Sequence, residues 1–160
     1  MMTYKRILVP VDGSSTSTKG LEEAARLASA KGCRVRLLHV IDQAIAFSTA
    51  ETGAGTNLML DVLRRSGKQA LSTAEARARR KGIHPESALL ESLSGRVADA
   101  IVQQAKRWRA DLIVMGTHGR RGFDRLLLGS NAELVVRHSP VPVLLVPARR
   151  LRGSSRRSRR

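Results

Sequence analysis

The chain has 160 residues, a length that suits one domain with a core of ordinary size. Aromatic residues make up only 2% of it, so the core has to be built from Leu, Val, Ile and Ala. Its one cysteine, Cys33, excludes an intramolecular disulfide and a cysteine-based metal site. No apolar run reaches the roughly 20 residues that span a bilayer, so we expect a soluble, cytoplasmic protein.

The formal net charge of +16 is unevenly distributed along the chain. Seven arginines lie within the last twelve residues, and the remainder carries +9 without them. We expect a domain at 1–148 and a basic, disordered tail at 149–160. The tail is either a solvated terminus or an arm that captures nucleic acid or another acidic partner.

Strand-like and helix-like segments alternate along the chain. The apolar pattern predicts strands at 5–11, 34–40, 84–90, 111–115 and 141–146. It predicts helices at 14–31, 57–81, 96–108 and 130–138, with a loop at 41–56. Gly67 is an unfavourable residue within the longest helix. Pro10 should end the first strand, and Pro142 should place the last strand at the sheet margin, because proline lacks a backbone N–H. The alternation indicates an α/β fold, an open parallel sheet with helices on both faces.

Ligands of such sheets bind at the carboxyl ends of the strands, where the strand order reverses. The loop after the first strand begins with Asp12, and the loop after the fourth contains Gly116, Gly119 and Gly129. A strand, a glycine-rich loop and a helix in succession present backbone amides to phosphate. The sequence therefore indicates a nucleotide site at this edge.

Each of these features has a simpler explanation as well. The glycines would also suit turns that need a positive φ. Residues 130–133 (SNAE) match a capping box, in which Ser130 binds the Glu133 amide, although a cap and a phosphate contact are compatible. Asp12 could form a turn with Gly13, or it could accept from a ribose hydroxyl or bind a nucleotide-bound Mg²⁺ ion.

Three segments together resemble the universal stress protein family: VPVDGS at 9–14, the Gly-x2-Gly-x9-Gly-Ser pattern at 116–130, and SPVPVLLV at 139–146. The resemblance covers about residues 3–147. It implies a Rossmann-like, five-stranded parallel sheet and a homodimer paired through the last strand. Because the spaced glycines mark the ATP-binding branch, it also implies ATP as ligand and a regulatory role in stress response.

The resemblance also assigns residues to the nucleotide. Pro10, Val11 and Val40 would line the adenine pocket, with the Val40 backbone reading the base edge, although these apolar residues also suit simple core packing. Gly129, Ser130 and Asn131 would lie against the triphosphate, and Gly116 and Gly119 near the ribose and α-phosphate. The complete predicted set is Pro10, Val11, Asp12, Val40, Met115, Gly116, Gly119, Arg120, Gly129, Ser130, Asn131 and Val143.

Two other functions remain open at this stage. One is a slow ATPase or a nucleotidyl-transferring enzyme of the same architecture, for which the sequence offers neither a P-loop nor a nucleophile–His–acid set. The other is a protein that binds nucleic acid or an acidic partner through its tail. The four histidines have no metal-ligand spacing, and His39 is expected to be a satisfied residue of the core or its rim.

Overall fold

The structure, a computed structural model, describes residues 4–28, 32–49, 53–117 and 128–147. Its strands are β1 (Arg6–Pro10), β2 (Arg34–Asp42), β3 (Glu86–Ser92), β4 (Leu112–Gly116) and β5 (Val143–Val146). Its helices are α1 (Ser15–Leu27), α2 (Gln43–Thr49), α3 (Gly53–Arg80), α4 (Val97–Trp108) and α5 (Ser130–His138).

All five strands are parallel and follow the order β3-β2-β1-β4-β5, which confirms the predicted fold class. Two apolar clusters cover the two faces of this sheet. One cluster joins the sheet to α1 and α3 through residues such as Leu21 and Leu71. The other joins it to α4 and α5 through Ile101 and Val135. The sheet is thus covered on both sides, as parallel sheets require.

The predicted loop at 41–56 is wrong. β2 continues to Asp42, the short helix α2 follows, and α3 already begins at Gly53. The Asp42 carboxylate accepts a hydrogen bond from the Ala44 amide at 3.0 Å, which starts α2. Ala46 of α2 is completely buried. A helix of seven residues is too short for its period to be read from the sequence.

Other predicted boundaries are off by a few residues. α1 ends at Leu27, before the predicted end, and 29–31 lie outside the described residues. β3 begins and ends two residues later than predicted, and β5 begins two residues later. Pro10 does end β1, and β5 does lie at the sheet margin. No helix of the described chain is long and apolar enough to cross a membrane.

Charged side chains tie the amino ends of the strands together. The Asp111 carboxylate, just before β4, accepts from the amides of Lys5 at 2.7 Å and Arg6 at 3.0 Å. The Arg6 guanidinium donates to the Trp108 carbonyl at 2.9 Å. These bonds fix β4 beside β1 and hold the end of α4 over both strands. Trp108 is 6% exposed and closes this end of the core.

A second charged group links β2 to β3 at the same end. Glu86 accepts hydrogen bonds from the guanidinium groups of Arg34 and Arg36. Arg36 also lies over the Trp108 ring, 4.7 Å from its centroid. The hydrogen bond from Arg36 holds the pKa of the Glu86 carboxyl below its usual range, and the bond from Arg34 acts in the same direction. The amino end of the sheet is therefore occupied by ion pairs within the chain.

Candidate functional site

The strand order reverses between β1 and β4. From β1 the chain proceeds through β2 to β3 on one side, and then crosses to β4 and β5 on the other side. The loops that leave β1 and β4 therefore diverge and open a crevice at their carboxyl ends. This crevice is where the sequence placed Asp12 and the glycine pattern.

Backbone hydrogen bonds bring the two halves of the glycine pattern together. The Gly129 amide donates to the Thr117 carbonyl at 2.8 Å, and the Thr117 amide donates to the Val146 carbonyl at 3.1 Å. The start of α5 therefore lies beside Gly116 at the end of β4. Gly119 and Arg120, also predicted as site residues, fall within 118–127, outside the described residues.

The first turn of α5 presents backbone amides at this point. Gly129 is the N-cap residue, and the Glu133 amide makes the first intrahelical bond, 2.9 Å to the Gly129 carbonyl. The amides of Ser130, Asn131 and Ala132 come before it and so have no acceptor within the helix. The exposed side chains of Ser130 and Asn131 border them.

The predicted capping box is wrong. Ser130 is the first residue of the helix rather than its cap, and the N-cap Gly129 has no side chain to bond the first turn. Glu133 does not reach back, because it pairs with Arg137 at 3.1 Å, one turn further along the helix. The Ser130 hydroxyl is therefore not needed as the helix cap.

Gly116 is required by close packing. A Cβ atom there would lie 2.7 Å from the backbone carbon and 2.8 Å from the Cβ of Thr16 in α1. The φ of Gly116 is not positive, so the turn explanation does not apply to it. Gly20 continues the contact, since a Cβ there would lie 3.2 Å from the Gly116 nitrogen. This contact holds the first turns of α1 against the end of β4.

Asp12 has the turn-forming role that the sequence offered as one alternative. Its carboxylate accepts from the Ser14 amide at 2.9 Å, and the Ser14 hydroxyl then caps α1 by accepting from the Ser17 amide at 3.1 Å. An ionised carboxylate has about four acceptor positions. The turn bond is therefore compatible with a second role for the Asp12 carboxylate as a ligand-binding group. The side chain is half-buried.

Val40 turns its backbone towards this crevice. The Arg34 amide bonds the Lys5 carbonyl, and the Leu38 carbonyl accepts from the Val11 amide at 2.8 Å. Even-numbered residues of β2 thus direct their N–H and C=O groups towards β1. β1 ends at Pro10, paired with Leu38. Val40, two residues beyond Leu38, therefore directs its backbone groups past the end of β1.

The remaining predicted residues divide between core and edge. Met115, 7% exposed, lies next to Gly116 at the end of β4. Val143 pairs with Ile113 and packs in the cluster under α4 and α5. It lies three residues back from the strand end at Val146, roughly 10 Å away at about 3.3 Å per residue. The structure does not bring Val143 together with the other predicted site residues.

Charged groups near the neighbouring strand end are paired with each other. Glu91, on β3, accepts from Arg64 of α3 at 2.7 Å and also from Gln43. The Arg64 hydrogen bond holds the pKa of the Glu91 carboxyl below its usual range. Among the described residues, no group of three His, Cys, Asp or Glu side chains is placed to hold a metal ion.

A separate cleft of about 300 Å³ runs between α1 and α3. Val11 and Gly13 line the end nearest the crevice, and Ser17, Gln69 and Arg77 are among the residues along its walls. Its position between two helices differs from the strand-end geometry described above. Since the backbone amides and Val40 converge at the strand ends, we place the candidate site there.

Comparisons with known proteins identify the family of this chain. The model of the universal stress protein family matches residues 3–147, and the chain belongs to that family. Universal stress protein MJ0531 of Methanocaldococcus jannaschii is 35% identical over 143 residues, which span 89% of this chain and 82% of that protein.

Two solved structures are similar throughout. The structure of MJ0577, from the same archaeon, has a TM-score of 0.82 at 28% identity and covers 93% of this chain and 99% of that one. The universal stress protein from Archaeoglobus fulgidus in complex with dAMP has a TM-score of 0.68 at 27% identity, covering 91% of this chain and 99% of that one.

Sequence reasoning did not predict two contacts next to the site, those of Thr16 and His39. Thr16 is the residue against which Gly116 packs. His39 was expected in the core or its rim, and it is 9% exposed, with Nδ1 2.8 Å from the Val11 carbonyl oxygen. The expectation about burial is confirmed, but its partner could not be read from the sequence. Gly67, a glycine that the sequence did not explain within a long helix, was a signal that another residue packs closely against this helix.

Proposed function

We propose that this protein is a cytoplasmic, ATP-binding regulatory module of the stress response, with the nucleotide bound in the crevice between β1 and β4. The observation that carries the proposal is the hydrogen bond from Gly129 to Thr117, which places the first turn of α5 beside the end of β4. Amides at a helix N-terminus and its positive dipole end form a phosphate site. The A. fulgidus relative in complex with dAMP supports an adenine nucleotide.

The residues then have distinct tasks. The triphosphate lies against Gly129, Ser130 and Asn131. The amides of Ser130 and Asn131 donate to it, since the Gly129 amide is already bonded to the Thr117 carbonyl. Asp12 accepts from a ribose hydroxyl or binds the Mg²⁺ ion that accompanies the triphosphate. Gly119 and Arg120, outside the described residues, belong to the same phosphate loop by sequence. We infer ATP rather than a monophosphate because the glycine spacing resembles the ATP-binding branch.

The adenine would be read by the Val40 backbone. Adenine has an acceptor at N1 beside a donor at N6, which matches an adjacent N–H and C=O. Guanine has the opposite pattern, a donor at N1 and an acceptor at O6, so it should bind less well. Backbone amides bind phosphate without activating water, so the site favours retention of ATP over turnover.

Two substitutions of Ser130 test the amide contribution. Ser130→Ala removes the hydroxyl alone, whereas Ser130→Pro removes the hydroxyl and the backbone N–H. Proline is well tolerated at the first helical position. Gly129, with φ −62° and ψ 146°, already has the conformation that a residue before proline requires.

Calorimetric titration with Mg-ATP gives the measurement. We expect Ser130→Ala to weaken binding about threefold and Ser130→Pro about tenfold or more, since the latter loses a charge-assisted bond as well. Mass spectrometry of nucleotide extracted from the purified protein identifies the bound species. A purified protein that carries no nucleotide and also ignores added ATP would refute the proposal.

The same proposal includes a homodimer through β5. Pro142 and Val146 direct their carbonyls to β4, so the alternate residues Val143 and Leu145 direct theirs to the open edge. A short apolar edge strand pairs readily with its own copy. Light scattering during size-exclusion chromatography should give twice the chain mass, and monomer alone at micromolar concentration would reject the dimer.

The arginines at 149–160 favour a second, additional activity, the capture of a polyanion. These residues lie outside the described part of the chain. On this proposal they form a basic tail that is separate from the domain at 1–148. Truncation after Ala148 should leave ATP affinity unchanged and weaken binding to nucleic acid, with a shallower salt dependence. Equal polyanion binding by the truncated protein would reject the proposal that the tail captures a polyanion.

A further inference from the structure

His39 makes one contact with direct consequences for the proposed site. Its ring is 9% exposed, between the sheet and α3, and its Nδ1 lies 2.8 Å from the Val11 carbonyl oxygen. A carbonyl can only accept a hydrogen bond, so Nδ1 must carry the proton and donate. The side chain of a β2 residue is thereby bonded to the backbone that follows β1.

This bond replaces a rung of the sheet. The Val11 amide already bonds the Leu38 carbonyl, and in a parallel ladder the next rung would join the Val40 amide to the Val11 carbonyl. That carbonyl is bonded to His39 instead, and strand pairing stops at Pro10 and Leu38. No backbone bond joins Val40 to Val11 in the described chain.

Gly67 holds the His39 ring in place from the other side. A Cβ atom at Gly67 would lie 2.6 Å from Cδ2 of His39 and 2.9 Å from Cδ1 of Leu89. These distances are too short for any side chain, so α3 can approach the ring this closely only with glycine at that position. The glycine that looked unfavourable in the sequence is explained by this contact.

We propose that His39 is a positioning residue for the nucleotide base, held in place by Gly67. By bonding the Val11 carbonyl, it keeps β1 and β2 from pairing further and leaves the Val40 backbone for the adenine edge. This inference rests on the proposed function, since it assigns the cause of adenine selectivity at the same site. His39 itself touches no part of the nucleotide in this arrangement.

Four variants of the full-length chain test the proposal. His39→Phe keeps a ring of similar size but has no donor, so the Val11 carbonyl is free to pair with the Val40 amide. His39→Asn loses the ring but places its side-chain N–H close to the position of Nδ1. Gly67→Ala displaces the ring. Gly53→Ala is the matched control, because a Cβ there meets no atom within 4 Å.

The ratio of ATP to GTP affinity is the informative measurement, because a loss of stability alone would not change it. We expect His39→Phe and Gly67→Ala to lower this ratio about tenfold, mainly through weaker ATP binding. His39→Asn should stay within about threefold of the native ratio even where its melting temperature falls. Gly53→Ala should match the native protein.

A native ratio in folded His39→Phe or Gly67→Ala would overturn the proposal. NMR of the native protein without nucleotide gives a second test that needs no variant: the His39 Nδ1 proton should show a coupling across the hydrogen bond to the Val11 carbonyl. Its absence would also overturn the proposal. Failure of the native protein to bind either nucleotide would instead reject the proposed function, and the NMR result would still report on the His39 bond.

Discussion

The two ends of the sheet are built in opposite ways. At the amino end, side chains of opposite charge bond to each other and to nearby backbone, as Asp111 does with Lys5 and Arg6 and as Glu86 does with two arginines. At the carboxyl ends of β1 and β4, backbone groups and glycines predominate, whereas β3 carries the Glu91–Arg64 ion pair near its carboxyl end. Gly116 and Gly129 have no side chains, and α5 begins with three amides that precede its first internal bond.

Because of this difference, we expect the amino end to contribute mainly to stability and the carboxyl end mainly to ligand binding. Charged groups at the amino end satisfy each other, so they fix strand register and offer little to a ligand. The carboxyl end leaves backbone donors directed into a crevice, a feature that costs stability unless a ligand or water satisfies them. Substitutions at the two ends should therefore affect different measurements.

Asp111→Ala should give the largest loss of stability. It removes the acceptor for two backbone amides between β1 and β4. We expect the free energy of unfolding to fall by about 2 kcal/mol, because hydrogen bonds to a charged group are among the stronger ones. Chemical denaturation measures this change. Mg-ATP affinity at a temperature where the variant stays folded should equal that of the native protein. A tenfold loss of affinity would show that the amino end also affects ATP binding.

Asp12→Ala is the corresponding substitution at the carboxyl end. We expect Mg-ATP affinity to fall about tenfold through loss of a charged contact, with a stability loss of about 1 kcal/mol or less from the turn bond to Ser14. Asp12→Asn keeps an oxygen for that turn bond but removes the charge. If Asp12→Asn binds Mg-ATP as tightly as the native protein, the negative charge of Asp12 does not contribute to binding, and Asp12 does not bind the metal ion.

The pH dependence of stability should come partly from Glu86 at the amino end. Its pKa is lowered in the folded state, chiefly by the Arg36 hydrogen bond, so the stabilisation is complete above the ordinary value of 4.5. It is lost as the pH falls through the lowered value. Glu86→Gln should therefore be less stable than the native protein by about 1 kcal/mol at pH 7, with a smaller difference at pH 3.

Denaturant titrations at both pH values check this expectation. Glu22→Gln, on the exposed surface of α1, controls for the loss of one negative charge. A difference between native protein and Glu86→Gln that stays constant from pH 7 to pH 3 would mean that the ion pairs do not stabilise this end. Mg-ATP affinity at pH 7 should be the same in all three proteins.

Features encoded by local sequence were predictable. Pro10 ends β1 and Pro142 precedes an edge strand because proline cannot donate to a ladder, and α5 has the predicted bounds. The strand order places Asp12 and the glycine pattern at one edge by general rules of parallel sheets. The family resemblance, confirmed by the match over residues 3–147, rested on these same segments.

What the sequence could not show are contacts between distant residues. Gly67 packs on His39, and Gly116 packs on Thr16, with separations of 28 and 100 residues along the chain. Neither glycine is explained by its neighbours in sequence. The capping box at Ser130 failed for a related reason: the pattern was correct, but Gly129 is held as the N-cap by its bond to Thr117.

Two serines at helix starts give the smallest expected effects and the sharpest contrast. Ser14 is the N-cap of α1 and accepts from the Ser17 amide, so Ser14→Ala should cost about 1 kcal/mol. Ser130 is the first residue of α5, after its cap, so Ser130→Ala should change the free energy of unfolding by less than about 0.5 kcal/mol. Parallel denaturation curves measure both. If Ser130→Ala proved as costly as Ser14→Ala, Ser130 would be a structural cap after all, and its effect on ATP binding would be a consequence of a loosened helix.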